Sequence, residues 1–413
     1  MLEELFDPVA AKRLRSCLCG AHVDTLCASL SELGYARPTI REKLGIVGRL
    51  SCWMSAKHRP IADLDEPCVE EFVDSERHDG RYRRGVCSTA LQLLAHLRDG
   101  GVVPTPEPVR DDSPTAILLS HYEGYLRRER ALAESTIAGY GPFVRAFVDE
   151  RLNSGTMNPD SLRPDDVRDF LLTRVRRMAP KSAQYMGTAL RSFLRYLFML
   201  GETTTDLALA IPMVRQWRLS GVPRHIPTQD VERLLRACDC ASVTGRRDYA
   251  VLLLLARLGF RASEVITLEL DDLRWREGEI IVRGKGLMRD RLPILPDVGE
   301  ALALYLKKDR PTSSCRRVFL CRKAPHRGFS HPSTVSTIVA RALGRAGLAP
   351  AMRGAHLLRH SLATTMVRRG ASLSEIGQVL RHRSPNTTEI YAKLNFGALQ
   401  DVAMPWPTTG GAR

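Results

Sequence analysis

The sequence predicts a mainly α-helical protein with one small β-sheet, and three observations lead to that fold class. Apolar residues recur at helical spacing in each of the first two segments of the chain, as in Ile40, Leu44, Val47, Leu50 and in Leu190, Phe193, Leu194, Leu197. One stretch, EIIVRGKGLMRDRLPIL (279–295), instead shows the alternation of a hairpin. Two breaker-rich stretches, DGGVVPTPEPVRDDSP (99–114) and IPMVRQWRLSGVPRHIP (211–227), cut the chain into three segments.

The first two segments resemble one another. Thr39-Ile40 corresponds to Thr136-Ile137 at an offset of 97, and Leu64, Val69 and Phe72 correspond to Leu162, Val167 and Phe170 at 98. Thr89-Ala90-Leu91 corresponds to Thr188-Ala189-Leu190 at 99. An offset that drifts by one residue at each loop is what small loop insertions produce in a duplicated unit. Residues 1–105 therefore read as a helical module and a candidate duplicate of 113–205, itself a helical domain. Residues 206–227 form a basic linker. Its prolines, arginines and histidine, with no acid from 211 onward and with Trp217 among them, suit a phosphate backbone.

The third segment, 228–395, mixes helix and strand, and 396–413 remains as a tail. Thr228 with Asp230 suits a helix start, where a side-chain oxygen satisfies free amides. Asp248 to Leu258 reads as a buried helix. In the hairpin Ile280 and Val282 alternate, and Gly284-Lys285-Gly286 makes the turn. RVFLC (317–321) is expected to add a short third strand. Helices are expected again at His356–Arg369, ended by Gly370, and at Ser374–Arg381.

Composition narrows the partners. Of 413 residues, 44% are hydrophobic and 26% charged, the balance of a folded globular chain. No apolar run approaches the roughly 20 residues of a membrane span. The opening MLEELFDPVA has acids where a signal peptide needs a basic region, so a cytoplasmic, nucleoid-associated protein with no membrane partner is expected. A net charge of +15 points to a polyanion. The ten cysteines read as reduced core residues. Cys17, Cys19 and His22 lie close together but lack a fourth ligand, so neither metal nor cofactor is expected.

Breaking DNA through a protein nucleophile requires permanent cations around the phosphate, an attacking group, and a proton for the departing sugar oxygen. Arginine suits the first task, because its planar fork grips two oxygens and stays charged. The third segment offers Arg261 with Glu264 three residues on, Lys285 at the hairpin turn, and His356 with Arg359 on one helix face. His382 and Tyr391 follow. Each has an ordinary reading alone, as an exposed ion pair, a turn lysine, structural histidines or a packing tyrosine.

Together they resemble the catalytic domain of the tyrosine recombinase (phage-integrase-type) family. That family's signature is an arginine in box I, a hairpin lysine, H-x-x-R in box II, a histidine or tryptophan, and then the tyrosine. Arg261, Lys285, His356, Arg359, His382 and Tyr391 match it in order. The surrounding text RDYAVLLLLARLGFRASEVITLELDDL and HLLRHSLATTMVRRGASLSEIGQVLRHRSPNTTEIYAKL matches as well. The match is firm over about 220–395, and 113–205 resembles the family's helical, SAM-like core-binding domain less strongly. Two departures stand out. Arg381 replaces the glycine usual before this histidine, where it is expected to add a phosphate contact, and Lys393 replaces a frequent histidine.

The resemblance implies that Tyr391 attacks the scissile phosphate, leaving a 3′-phosphotyrosyl bond and a free 5′-hydroxyl. Arg261 and Arg359 would clamp the non-bridging oxygens, and His382 would add a hydrogen bond. Lys285 would be the general acid, His356 would assist proton movement at the tyrosine, and Glu264 would orient Arg261 or a histidine. It implies double-stranded DNA as partner, clamped between 113–205 and 220–413, and a homo-tetramer on paired sites, with related recombinases as possible co-members. The amino-terminal module would reach more DNA or a neighbouring subunit, and the tail, with Trp406, would dock on its own domain or exchange into a neighbour. A site-specific recombinase or integrase of a mobile element is the expected function. The alternatives are a type IB topoisomerase-like enzyme, which needs no paired sites, and a silent DNA-binding regulator, which would lack Tyr391 or an arginine. A basic scaffolding protein with chance motifs is a third.

Overall fold

The computed structural model describes residues 2–106, 111, 113–152, 158–213, 223–284 and 289–394. They fall into two compact units, one comprising 1–105 with 221–413 and the other 106–220. The middle of the basic linker with Trp217, the hairpin turn with Lys285, and the tail with Trp406 lie outside the described residues.

The first unit begins with six helices: α1 (Leu2–Leu5), α2 (Pro8–Arg15), α3 (Gly20–Glu32), α4 (Arg37–Ala56), α5 (Glu66–His78) and α6 (Val86–Asp99). Leu26, Leu44, Leu50, Phe72 and Leu94 meet in their core. The Asp65 carboxylate starts α5 by accepting from the Cys68 amide at 2.8 Å, one of the four donors a helix start leaves without a partner. Glu76, 4% exposed, would be costly if unpaired, and Arg49 of α4 donates to it at 2.9 Å. The Leu33 carbonyl accepts from the His326 amide at 3.1 Å, linking these helices to the later part of the same unit.

The second unit is a bundle of α7 (Pro114–Arg128), α8 (Glu134–Arg151), α9 (Pro164–Val175) and α10 (Pro180–Met199). Leu190, Phe193, Leu194 and Leu197 of α10 are fully buried, as their spacing requires. Edge-to-face ring contacts fix the packing. Phe147 and Phe170 lie 5.1 Å apart at 89°, and Tyr122 and Phe193 lie 5.2 Å apart.

The remainder of the first unit contains α11 (Thr228–Arg236), α12 (Val243–Arg257), α13 (Ala262–Thr267), α14 (Pro296–Lys308), α15 (Ser333–Arg345), α16 (His356–Arg368) and α17 (Leu373–Val379). Val251 to Leu255 on α12 are fully buried, and α11, α14, α15 and α16 pack around that helix. An apolar stretch buried on every side belongs at the centre of a domain. The sheet is antiparallel, in the order β1 (Leu273–Arg274), β2 (Glu279–Arg283), β3 (Arg289–Pro293). Ile280 pairs with Leu292 and Val282 with Asp290. Ile281 is buried as well, so β2 is covered on both faces. The outer strand β3, sequence RDRLP, is largely charged, which discourages pairing with another chain.

Two sequence expectations are corrected. The third strand is Leu273–Arg274, and RVFLC forms only isolated bridges at Arg317 and Leu320. Its amides are taken locally, Val318 donating to the Leu268 carbonyl and Leu320 to the Tyr305 hydroxyl, while Val318, Phe319 and Leu320 wedge into the core. The helix at Thr228 begins where expected but without a side-chain cap, because Pro227 holds the cap position; the Thr228 hydroxyl pairs with that of Thr365 at 3.1 Å.

Leu254→Ala is expected to lower the stability of this unit by ~2–5 kcal/mol, since a fully buried leucine leaves a cavity that its neighbours fill only partly. Denaturant unfolding followed by tryptophan fluorescence measures it, and a loss below about 1 kcal/mol would contradict the placement of α12 at the centre.

Candidate active site

Three elements of the third segment converge: the start of α13, the α16 helix, and the stretch from the end of α17 to Tyr391. The spacing of Arg261 and Glu264 is that of a helix start whose third residue reaches back. Glu264 Oε2 accepts from the Arg261 amide at 2.8 Å, and Oε1 accepts from Arg261 Nη1 at 2.6 Å. One carboxylate thus fixes both backbone and side chain of Arg261, which remains about one-third exposed.

Arg359, 4% exposed, sends its guanidinium to the carbonyls of Gly259 and Leu380. It thereby ties the turn before α13 to the end of α17. Gly259 has a φ of +58°, and a Cβ there would stand 2.7 Å from Leu380 Cδ2, so only glycine lets the two segments approach this closely. Burial, and after it the neighbouring Arg261 and Arg381, push the Arg359 guanidinium down to about 9.

Tyr391 is 1% exposed and sits on a 3₁₀ turn, Glu389–Leu394, with its amide bonded to the Thr388 carbonyl at 3.0 Å. Its hydroxyl lies 2.7 Å from His360 Nδ1. Burial pushes the phenol up to about 12, against a small opposing pull from Arg359. Losing that proton therefore needs an acceptor, and a neutral His360 ring presents one. His382 lies on the other side, its ring parallel to that of Tyr391 with centroids 6.5 Å apart, and its Nδ1 is 2.7 Å from Thr388 Oγ1.

The structure thus brings Arg261, Glu264, Arg359, His382 and Tyr391 into one cluster. It places His356 at the exposed start of α16, with its ring 6.3 Å from that of His360. The histidine on the tyrosine hydroxyl is His360, which the sequence reading passed over. Lys285 lies outside the described residues. Arg283 and Gly284, just before it, border a cleft of about 1160 Å³ that also takes in Arg261, His382 and Thr388. Arg283 is committed to Glu269 at 2.6 Å and Asp272 at 3.0 Å.

Arg381 corrects another expectation. Its side chain is 4% exposed and turned inward, with Nη2 on Glu264 Oε2 at 2.8 Å and further bonds to the Leu258, Gly259 and Val379 carbonyls. It is not an arm held out for phosphate. Sequence offered a partial signal for His360, four residues after His356 and so on the same helix face. It offered none for Thr388.

As for metal ligands, Cys17 donates to the Leu14 carbonyl at 3.0 Å and lies 3.4 Å from Ser51 Oγ. Among the described residues no group of three or more His, Cys, Asp or Glu is placed to hold a metal ion. No described helix is long and apolar enough to cross a membrane.

The histidines generate a pH prediction. Burial, with His356 and Arg359 nearby, pushes His360 down to about 4 from 6.5, and burial with Arg359 and Arg261 does the same to His382. Between these pH values the unfolded chain binds protons that the fold refuses. Stability is therefore full above about 6.5 and falls as pH drops towards 4. Thermal unfolding across that range should show the fall, and His360→Asn should make it shallower. An unchanged slope in that variant would contradict the buried neutral ring.

Comparison with known proteins places the chain in a family. Residues 224–397 match the phage integrase family, and 119–199 match the phage integrase N-terminal SAM-like domain. The chain is 43% identical over 388 residues to the putative integrase/recombinase y4rA of Sinorhizobium fredii (strain NBRC 101917 / NGR234), covering 92% of each. It is 34% identical over 409 residues to y4rF, a putative integrase/recombinase of the same strain, covering 97% of this chain and 94% of the relative. Among solved structures, the fold resembles the XerH site-specific recombinase bound to palindromic difH substrate in a post-cleavage complex. The TM-score is 0.54 at 18% identity, over 71% of this chain and 90% of that one. The chain belongs to the phage integrase family of tyrosine recombinases, enzymes of DNA cleavage and rejoining.

Proposed function

We propose that this protein is a site-specific recombinase or integrase of a mobile element that cuts and rejoins double-stranded DNA through Tyr391. The observation that carries the reading is the packing of the Tyr391 hydroxyl, the Arg359 and Arg261 guanidiniums and the His382 ring into one cluster beside an open cleft. A phosphodiester entering that cleft meets fixed positive charge where its transition state gathers negative charge.

In the proposed reaction the Tyr391 oxygen attacks phosphorus and its proton passes to His360. The bond from phosphorus to the 5′ oxygen breaks, and Lys285 protonates that oxygen. The phosphodiester energy is kept in the tyrosyl link. A 5′-hydroxyl from another strand reverses the steps, which is recombination when two sites are paired and a homo-tetramer holds them. Glu264 orients Arg261, and His356, at the exposed start of the same helix, serves proton movement one ring further out.

Residues 113–205 would be the core-binding domain, 206–227 the linker, 228–395 the catalytic domain, and 1–105 a duplicate of the core-binding domain. The duplicate carries 14 Lys and Arg against 15 Asp and Glu, so the chain's net +15 resides elsewhere. That balance favours a protein contact over a track along phosphates. The tail, 396–413, would exchange into a neighbouring subunit.

Covalent trapping tests the reading. Wild-type and Tyr391→Phe proteins are incubated with nicked duplexes spanning the flanks of their own gene and stopped with detergent. The wild type is expected to form a protein–DNA band. The variant should form none while binding DNA within a few-fold of the wild-type affinity. A band of equal strength with Tyr391→Phe would sink the assignment.

A further inference from the structure

Arg381 has no role in the chemistry described above, yet its setting is costly. Its φ of +55° lies in the left-handed region that favours glycine, and the sequence has an arginine there all the same. The guanidinium is buried at 4% side-chain exposure and stands over the Phe260 ring at 5.2 Å from its centroid. Its Nε has no hydrogen-bond partner. A strained backbone and a buried cation persist together only where something nearby requires them.

That requirement is visible in the carboxylate of Glu264. It faces three guanidiniums. Arg261 and Arg381 bond to it directly, and Arg359 lies close enough for the two charges to interact. With Arg381 absent, the buried carboxylate would cancel one of the two cations left in the cluster, Arg261 and Arg359. With Arg381 present, one positive and one negative charge close on each other beneath the site. Burial pushes the Glu264 carboxyl up, but Arg381 and the hydrogen bonds from Arg261 outweigh it and hold the group below its usual range. The pairing also has a backbone side, since Arg261 Nη2 donates to the Arg381 carbonyl at 3.2 Å. The left-handed turn aims that carbonyl at Arg261 while the side chain returns to Glu264.

We propose that Arg381 is a positioning residue that offsets the charge of Glu264, so that Arg261 and Arg359 meet the scissile phosphate with both positive charges uncancelled. This rests on the recombinase reading of the same cluster. It makes Arg381 a partner of the clamp rather than a third finger on the phosphate.

The test is the rate of covalent adduct formation on a nicked duplex, measured for four full-length proteins beside the wild type. Arg381→Met removes the charge and keeps the bulk, and is expected to slow the adduct about tenfold or more. Arg381→Lys keeps the charge and should retain most of the rate. Glu264→Gln combined with Arg381→Met removes both charges and should recover much of what Arg381→Met loses, while Glu264→Gln alone should not gain rate. Wild-type speed in Arg381→Met overturns the proposal. So does an equal loss in the Lys and Met variants with no recovery in the double variant, which is the signature of packing alone. Should the wild type form no adduct, the recombinase reading fails and the pairing is read from unfolding midpoints. There the two substitutions must cost less together than the sum of their separate costs, and additive costs overturn it.

Discussion

The buried guanidinium of Arg359 holds the site together. It donates to the carbonyls of Gly259 and Leu380, so one side chain on α16 joins the turn that presents Arg261 to the end of α17 that leads to His382. A buried charge in such a place is expensive unless its donors are used. Here the donors are spent on two carbonyls that sequence distance would never bring together. Gly259 permits the approach, and the fully buried residues 251–255 of α12 give the turn a rigid base. The geometry of the arginine cluster is thus a consequence of how the core closes.

Charge is arranged in two layers. Beneath the cleft, Glu264 is shared between Arg261 and Arg381 and satisfies the Arg261 amide as well. At the cleft, Arg261 stays partly exposed. Burial first, and the nearby cations second, lower the proton affinity of His360 and His382 and leave both rings neutral near pH 7. A neutral imidazole beside the Tyr391 hydroxyl is able to accept its proton, whereas an imidazolium is not. In the proposed reaction the setting that would suit phosphate would therefore also prepare the base.

Much of this was legible in the sequence, for physical reasons that differ from residue to residue. Helical periodicity foretold the buried faces of α4 and α10, because one apolar stripe must be covered. Arg261 with Glu264 was read as a pair, but not as one that starts α13 with Glu264 buried. RVFLC was misread because an apolar pentapeptide buries equally well as a strand or as a wedge, and only the destinations of its amides decide. His356 was preferred over His360 because the motif names the first histidine. Which of two rings on one helix face touches Tyr391 depends on a turn more than thirty residues away in the chain. Arg381 was expected to point outward. Nothing local reveals that its left-handed backbone returns the side chain to a carboxylate 117 residues earlier.

The central claim, that Tyr391 becomes covalently linked to DNA, is tested most directly by identifying the linked residue. Wild-type protein trapped on a nicked duplex is digested with protease and nuclease, and the nucleotide-bearing peptide is sequenced by mass spectrometry. The account predicts a 3′-phosphoryl nucleotide on Tyr391 and, on the released strand, a 5′ end that accepts phosphate from a kinase without prior dephosphorylation. A nucleotide on any other residue, or a released strand already phosphorylated at its 5′ end, would contradict it.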